Sequence, residues 1–318
     1  MSFIEAKRTM GAILENPAYC TTMTLTAANY NLPIYNIQYD PQFASYIRKL
    51  AKMDYSRHTA IIGKQSFGFT GSVDIAYSGA AATPPAYFLL LQACGMKQTT
   101  GGNVVLNPHA DYSAVPITVE IQERDEGASP NVLVIRAHGC MGNAKIIQDS
   151  VGKPVRVDFD FKGVLNIITD RANASVLVPT AWDTPTPDAV LSATIQLFGE
   201  DQRCEKVTID LGNKIELYTD PKRAAGYIGA HITDREMTIE LDPDLEFLVT
   251  QGDFARTIGN TTGALSIMIG NHITMAAPAA QYIQTYKPAI REGHVTTQKK
   301  LVLTRSTNGN DEFSITHS

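Results

Sequence analysis

The 318-residue chain is poor in most of what the common functional classes need. Its four cysteines (Cys20, Cys94, Cys140, Cys204) are scattered and none forms a CxxC pair. That excludes a disulfide framework and a thiolate zinc ribbon, and predicts reduced, buried thiols made in a cytoplasm. No apolar run approaches the ~20 residues that span a bilayer, and the first residues, Met1-Ser2-Phe3-Ile4-Glu5-Ala6-Lys7-Arg8, lack the apolar stretch of a signal peptide. Basic excess is missing too. Lys and Arg number 27 against 32 Asp and Glu, for a formal charge of −5, with no dense cationic block. A protein that grips nucleic acid through its phosphates needs such a block.

Catalytic signatures are also absent. No GxxxxGK[ST], GxSxG or HExxH occurs, and Gly139-Cys140-Met141-Gly142-Asn143 fails the dinucleotide fingerprint. His138-Gly139-Cys140 offers half a metal site, with the other cysteines and histidines far away in sequence. Asp242-Pro243-Asp244-Leu245-Glu246 begins like a calcium loop but lacks its glycine and distal glutamate. The sequence therefore predicts no catalytic residue, no metal and no cofactor.

What is present is alternation. Val155-Arg156-Val157-Asp158-Phe159-Asp160-Phe161-Lys162 puts apolar side chains on one face and charges on the other. That is the pattern of a half-buried antiparallel strand. Asp158 and Asp160 mark its charged face, exposed to solvent; flanking Arg156 and Lys162 argue against a catalytic carboxylate pair. Similar runs occupy 67–77, 206–211, 237–241, 300–304 and 313–316, broken by Gly, Asn, Asp and Pro clusters. Many short strands so punctuated predict a mostly β fold, a sandwich or barrel.

Two helices are expected against this background. One covers about 84–94, capped by Thr83, with Pro84 and Pro85 in its first turn and Gly95 as its stop. It is apolar nearly all round, which predicts Leu89, Leu90 and Cys94 buried between helix and sheet. The other covers about 41–53, capped by Asp40, with Phe43, Ile47 and Leu50 on one face. Residues 171–203 are rich in Pro and Thr around the single Trp182 and read as an inserted or connecting lobe of one elaborated domain, 1–318.

Three stretches in order resemble the tail tube protein family of long-tailed bacteriophages. Gly63-Lys64 leads through a strand to Ser78-Gly79, Pro84-Pro85 and Leu89-Leu90-Leu91-Gln92-Ala93-Cys94-Gly95-Met96. Ala137-His138-Gly139-Cys140-Met141-Gly142-Asn143-Ala144 is followed by Gly152-Lys153-Pro154 and the strand to Phe161-Lys162-Gly163. Ile209-Asp210-Leu211-Gly212-Asn213, Gly226-Tyr227, Ile232-Thr233-Asp234-Arg235 and Gly309-Asn310-Asp311-Glu312-Phe313-Ser314-Ile315 complete the set.

The resemblance implies a β-sandwich or barrel subunit with a flanking helix. It also implies hexameric rings whose inner sheets join, stacked around a tape measure protein. Tail tip and tail terminator proteins are the further partners implied. DNA would pass through the lumen without specific binding, the charged face of Asp158 and Asp160 being a candidate for its wall, and no membrane is involved. The protein would be made in the host bacterial cytoplasm and would end in the virion tail. The alternatives are a tube protein of a contractile tail or secretion machine, and a ligand-binding β protein.

Overall fold

The computed structural model describes residues 8–15, 20–48, 59–108, 115–124, 131–172, 177, 187, 190–191, 193–245, 252–270, 272–284, 286–306 and 309–318. The first strands are β1 (Thr9–Leu14), β2 (Tyr35–Tyr46), β3 (Ile61–Asp74), β4 (Met96–Thr100) and β5 (Val104–Pro108). Then come β6 (Ile117–Arg124), β7 (Val132–Gln148), β8 (Arg156–Arg171), β9 (Thr194–Leu197) and β10 (Glu200–Asp201). The second half holds β11 (Val207–Asp210), β12 (Asn213–Thr219), β13 (Tyr227–Arg235), β14 (Thr238–Leu241) and β15 (Thr262–Ile269). It ends with β16 (Ile273–Gln284), β17 (Pro288–Arg291), β18 (His294–Thr297), β19 (Lys299–Thr304) and β20 (Ser314–His317). Among the described residues two short α-helices, α1 (Phe88–Ala93) and α2 (Asp253–Ile258), interrupt them. The protein is mostly β.

Among the described residues sixteen strands form one antiparallel sheet, whose main path runs β10-β9-β15-β16-β19-β14-β11-β7-β8-β3-β2. Two strands divide their length between neighbours. The first half of β7 pairs with β6 and the second half with β11, while β8 follows its other side throughout. Likewise β16 pairs first with β20 and then with β19. The changeover in β7 falls at a register break between His138 and Met141. There the backbone of Gly139 turns to φ +58, a region that suits glycine. Splitting a strand in this way lets one sheet bend over a single core.

The core follows from alternation plus register. Val73, Val157, Ile146, Ile209, Ile239, Leu301 and Tyr282 lie opposite one another in a row across β3, β8, β7, β11, β14, β19 and β16, and all are buried. Directly opposed residues share a face, so the seven apolar positions make one continuous inner stripe. Phe67, Phe69, Phe159 and Phe161 extend it, with the Phe69 and Phe161 rings stacked at 4.7 Å between centroids.

α1 packs into the same core. Leu90 and Cys94 are fully buried, and Leu89 is half-buried against the cluster. The helix is shorter than the sequence suggests. Pro84 and Pro85 precede it outside the helix, a turn at 86–87 follows them, and Tyr87, not Thr83, stands at its N-cap. Its end is as read, with Gly95 at φ +84 directly after Cys94.

The helix expected at 41–53 is not formed where the structure describes it. Residues 41–46 are the second half of β2, paired with β3 from Tyr35↔Ser72 to Tyr46↔Ile61; 49–53 lie outside the described residues. Here Ile37, Tyr39 and Pro41 turn inward and Gln38, Asp40 and Gln42 outward, a period of two that the helical reading of Phe43 and Ile47 overlooked. Pro41 is tolerated because β2 is the edge of the sheet. Of the lobe expected at 171–203, residues 173–176, 178–186, 188–189 and 192 lie outside the described residues; β9 and β10 fall in its last ten residues.

Candidate functional site

The opposite face of the long sheet is polar, and register lays it out in rows. Asp74, Arg156, Ile147, Thr208, Glu240 and Lys300 form one row across β3, β8, β7, β11, β14 and β19. Ser72, Asp158, Lys145, Asp210, Thr238 and Val302 form the next, and Thr70, Asp160 and Asn143 begin a third. Carboxylates outnumber cations in these rows.

The cations are already engaged. Arg156 bonds Asp149 at 2.6 Å and Asp158 at 3.3 Å, Lys145 meets Asp210 at 3.0 Å, and Lys300 meets Glu240 at 2.8 Å. Such exposed pairs add about 0–1 kcal/mol each. Their effect here is to neutralise, not to stabilise. Asp210 has its carboxyl pulled below the usual range: burial pushes it up, but hydrogen bonds from Asn143, Gly212 and Lys145 outweigh burial. Asp158 is half-buried and accepts the Ser72 hydroxyl at 2.7 Å, whereas Asp160 is exposed. The structure thus brings both sequence-marked aspartates onto one extended wall. Asp74, Asp210 and Glu240, which sequence reasoning did not single out, share it, and each stands at a polar position of an alternating run.

Two separate hairpins flank this wall. β12–β13 crosses β7, β8 and β3 on a small cluster of Met141, Ala230, Ile215, Leu217 and Ile232. Lys64 lies 5.1 Å from the Tyr227 ring, and the Gln65 N–H bonds the Ala225 carbonyl at 3.0 Å. β17–β18 is the second, and its Ile290 and Arg291 line a cavity with Thr208, Glu240 and Lys300 of the wall.

The two stretches that resemble parts of metal sites have other surroundings. Among the described residues no group of three His, Cys, Asp or Glu side chains is placed to hold an ion. Cys140 points into the core, where burial pushes its thiol well up, and His138 lines a cleft with Arg223. Asp242 and Asp244 both bind Arg291, at 3.1 and 2.6 Å, so the loop that begins like a calcium site carries its own cation. Among the described residues no helix is long and apolar enough to cross a membrane.

The wall is an extended surface of paired charges. A family model described as phage tail tube protein matches residues 56–293. The chain belongs to this family. No curated protein matches it. Phage tail tube proteins are structural components of the virion tail. The match starts ahead of β3 and ends within the β17–β18 turn, so it takes in α1, all of β7 and β8 and the β12–β13 hairpin.

Proposed function

We propose that this chain is the major tube subunit of a long, non-contractile phage tail. Copies close into hexameric rings, the rings stack around a tape measure protein, and the finished tube conducts genomic DNA at ejection. The rows carrying Asp158 and Asp160 face the lumen.

The observation that carries this reading is the charge arrangement of the wall. A conduit must pass DNA without holding it. Each phosphate gripped by a Lys or Arg releases counterions and gains affinity, and such contacts repeated along a tube would stall the strand. A face in which Lys145, Arg156 and Lys300 are each tied to a carboxylate offers few such grips. Assembly is supported by the β2–β3 hairpin, which leaves Phe43, Tyr46, Ile47, Ile61 and Ile62 about half exposed or more. Contiguous apolar surface of this kind marks a contact site.

Negative-stain images of the purified protein, alone and with tail-tip proteins as initiator, should show rings or tubes. Titration with duplex DNA at low salt should show no binding. Replacing Asp158 and Asp160 by Lys should create binding that salt weakens. A wild-type chain that stays monomeric throughout, or that binds DNA at micromolar levels with a steep salt dependence, would overturn the reading.

A further inference from the structure

β19 carries a lysine where the core expects an apolar side chain. Its inward row is Lys299, Leu301 and Leu303, all buried, while Lys300, Val302 and Thr304 are half-buried on the other face. Lysine is almost never fully buried without a partner. In the other described ion pairs the lysine side chains are 40–68% exposed; that of Lys299 is 1% exposed.

Its partner is Asp253, the first residue of α2. The Asp253 side chain is 12% exposed, with Oδ2 2.7 Å from Lys299 Nζ. Oδ1, the second oxygen, accepts the Tyr282 hydroxyl at 2.7 Å. Burial and the carboxylate beside it push Tyr282 well above its ordinary pKa, so this hydroxyl keeps its proton and stays a donor. Nζ also donates to the Gln202 amide oxygen at 3.1 Å. Four segments thus hold one amine against one carboxyl group. The Phe198 ring stacks on Tyr282 at 5.3 Å between centroids, and Arg256 lies over Phe198 at 4.7 Å. So covered, the pair is reached by little water.

A buried ion pair is costly to desolvate. This pair has a second outcome, because an amine and a carboxyl group in contact are the two halves of an amide. Reactants held in place in this way gain the equivalent of about 10⁵–10⁸ M in concentration when well oriented.

We propose that the Lys299 amine and the Asp253 carboxyl group condense into an isopeptide bond. A proton passes from Nζ to Oδ2, and the freed lone pair attacks Cγ. Tyr282 donates to Oδ1 while that oxygen carries the developing negative charge, as an oxyanion hole does. The Cγ–Oδ2 bond then breaks. Oδ2 leaves as water with a second proton from Nζ, and Oδ1 returns to a carbonyl. Ammonium and carboxylate become amide and water, and no oxidant, metal or nucleotide is consumed. The bond ties α2 to β19 and closes β15–β18 into a loop. Such a closure restricts the unfolded chain as a disulfide does, without needing an oxidising compartment.

Intact-mass spectrometry of the folded full-length chain, followed by peptide mapping, tests this. The wild-type mass should fall short of the sequence mass by one water, and digestion should release a branched peptide joining Lys299 to Asp253. Lys299→Arg keeps the cation but lacks the attacking amine, so it should show the full mass and a lower thermal midpoint. Tyr282→Phe keeps both reactants and should slow the closure by about tenfold or more, read as water loss after a pulse of synthesis. If either variant fails to fold, the branched peptide in the wild type still decides. A folded wild-type chain at full mass, water loss that maps to other residues, or undiminished loss in Lys299→Arg overturns the bond. The tube reading is tested separately, by assembly.

Discussion

Gly139 and Gly229 meet backbone against backbone: a Cβ built on Gly139 would lie 2.7 Å from the Gly229 Cα. This contact joins the bend of β7 to the β12–β13 hairpin that crosses it. The bend is further held by Glu15, whose buried carboxylate accepts the Gly139 N–H and the Thr118 hydroxyl, both at 2.7 Å.

Gly139→Ala should therefore destabilise the chain by about 1–3 kcal/mol, from an unfavourable φ and a clash that backbone cannot relieve cheaply. Urea unfolding of wild type and variant measures it. A loss under a few tenths of a kcal/mol would show that the hairpin yields without strain.

Leu90 is fully buried in α1, so Leu90→Ala should cost about 2–5 kcal/mol through lost transfer energy and a residual cavity. Leu89→Ala, at a half-buried position, should cost clearly less. Equal losses would contradict the orientation of the helix.

Glu120 is buried on β6, yet its carboxyl lies below the usual range. Burial opposes ionisation, but hydrogen bonds from Tyr30, Arg171 and Arg136 outweigh it, with the two guanidinium contacts at 2.8 and 2.6 Å. Glu120→Gln removes the one charge that both arginines share and should cost about 3–5 kcal/mol. Double-mutant cycles with Arg136→Met would then show strong coupling, and additive losses would refute a shared network.

His317 is buried among aromatic rings, with Phe88 edge-on at 4.9 Å and the Tyr87 hydroxyl 3.3 Å from Nε2. Tyr77 stacks on it at 6.1 Å between centroids, and His272 stacks on Tyr77. Burial, aided by His272, pushes its pKa down to about 4. The unfolded chain takes up that proton near 6.5, so stability should fall as pH drops from about 6.5 towards 4. The thermal midpoint of His317→Phe should decline less over this window than that of wild type. Parallel declines would place the acid sensitivity elsewhere.

The four cysteines are thiols, three of them buried. Dithiothreitol should leave the thermal midpoint unchanged, and a shift of several degrees would reveal a disulfide.

How much of this was legible in the sequence depends on whether the signal was local. The run 155–162 declares its faces because every other residue repeats the same choice, and the structure places it in the sheet as read. Leu90 and Cys94 likewise follow from an apolar helix bounded by proline and glycine. Residues 41–46 misled because Phe43, Ile47 and Leu50 fit a helical spacing, while Pro41 continues the strand alternation of Ile37 and Tyr39. Pairing with β3 decided between them, and that partner lies outside any local window.

The sequence alone determined which side chains turn inward, since a strand's two faces are fixed by its own alternation. Only the tertiary structure decided which strands stand side by side. It placed Asp74, Asp158, Asp210 and Glu240 on one wall, set Glu15 under the bend of β7, and brought Asp253 against Lys299. Those outcomes depend on hydrogen bonds between segments far apart in the chain, which no residue's immediate neighbours specify.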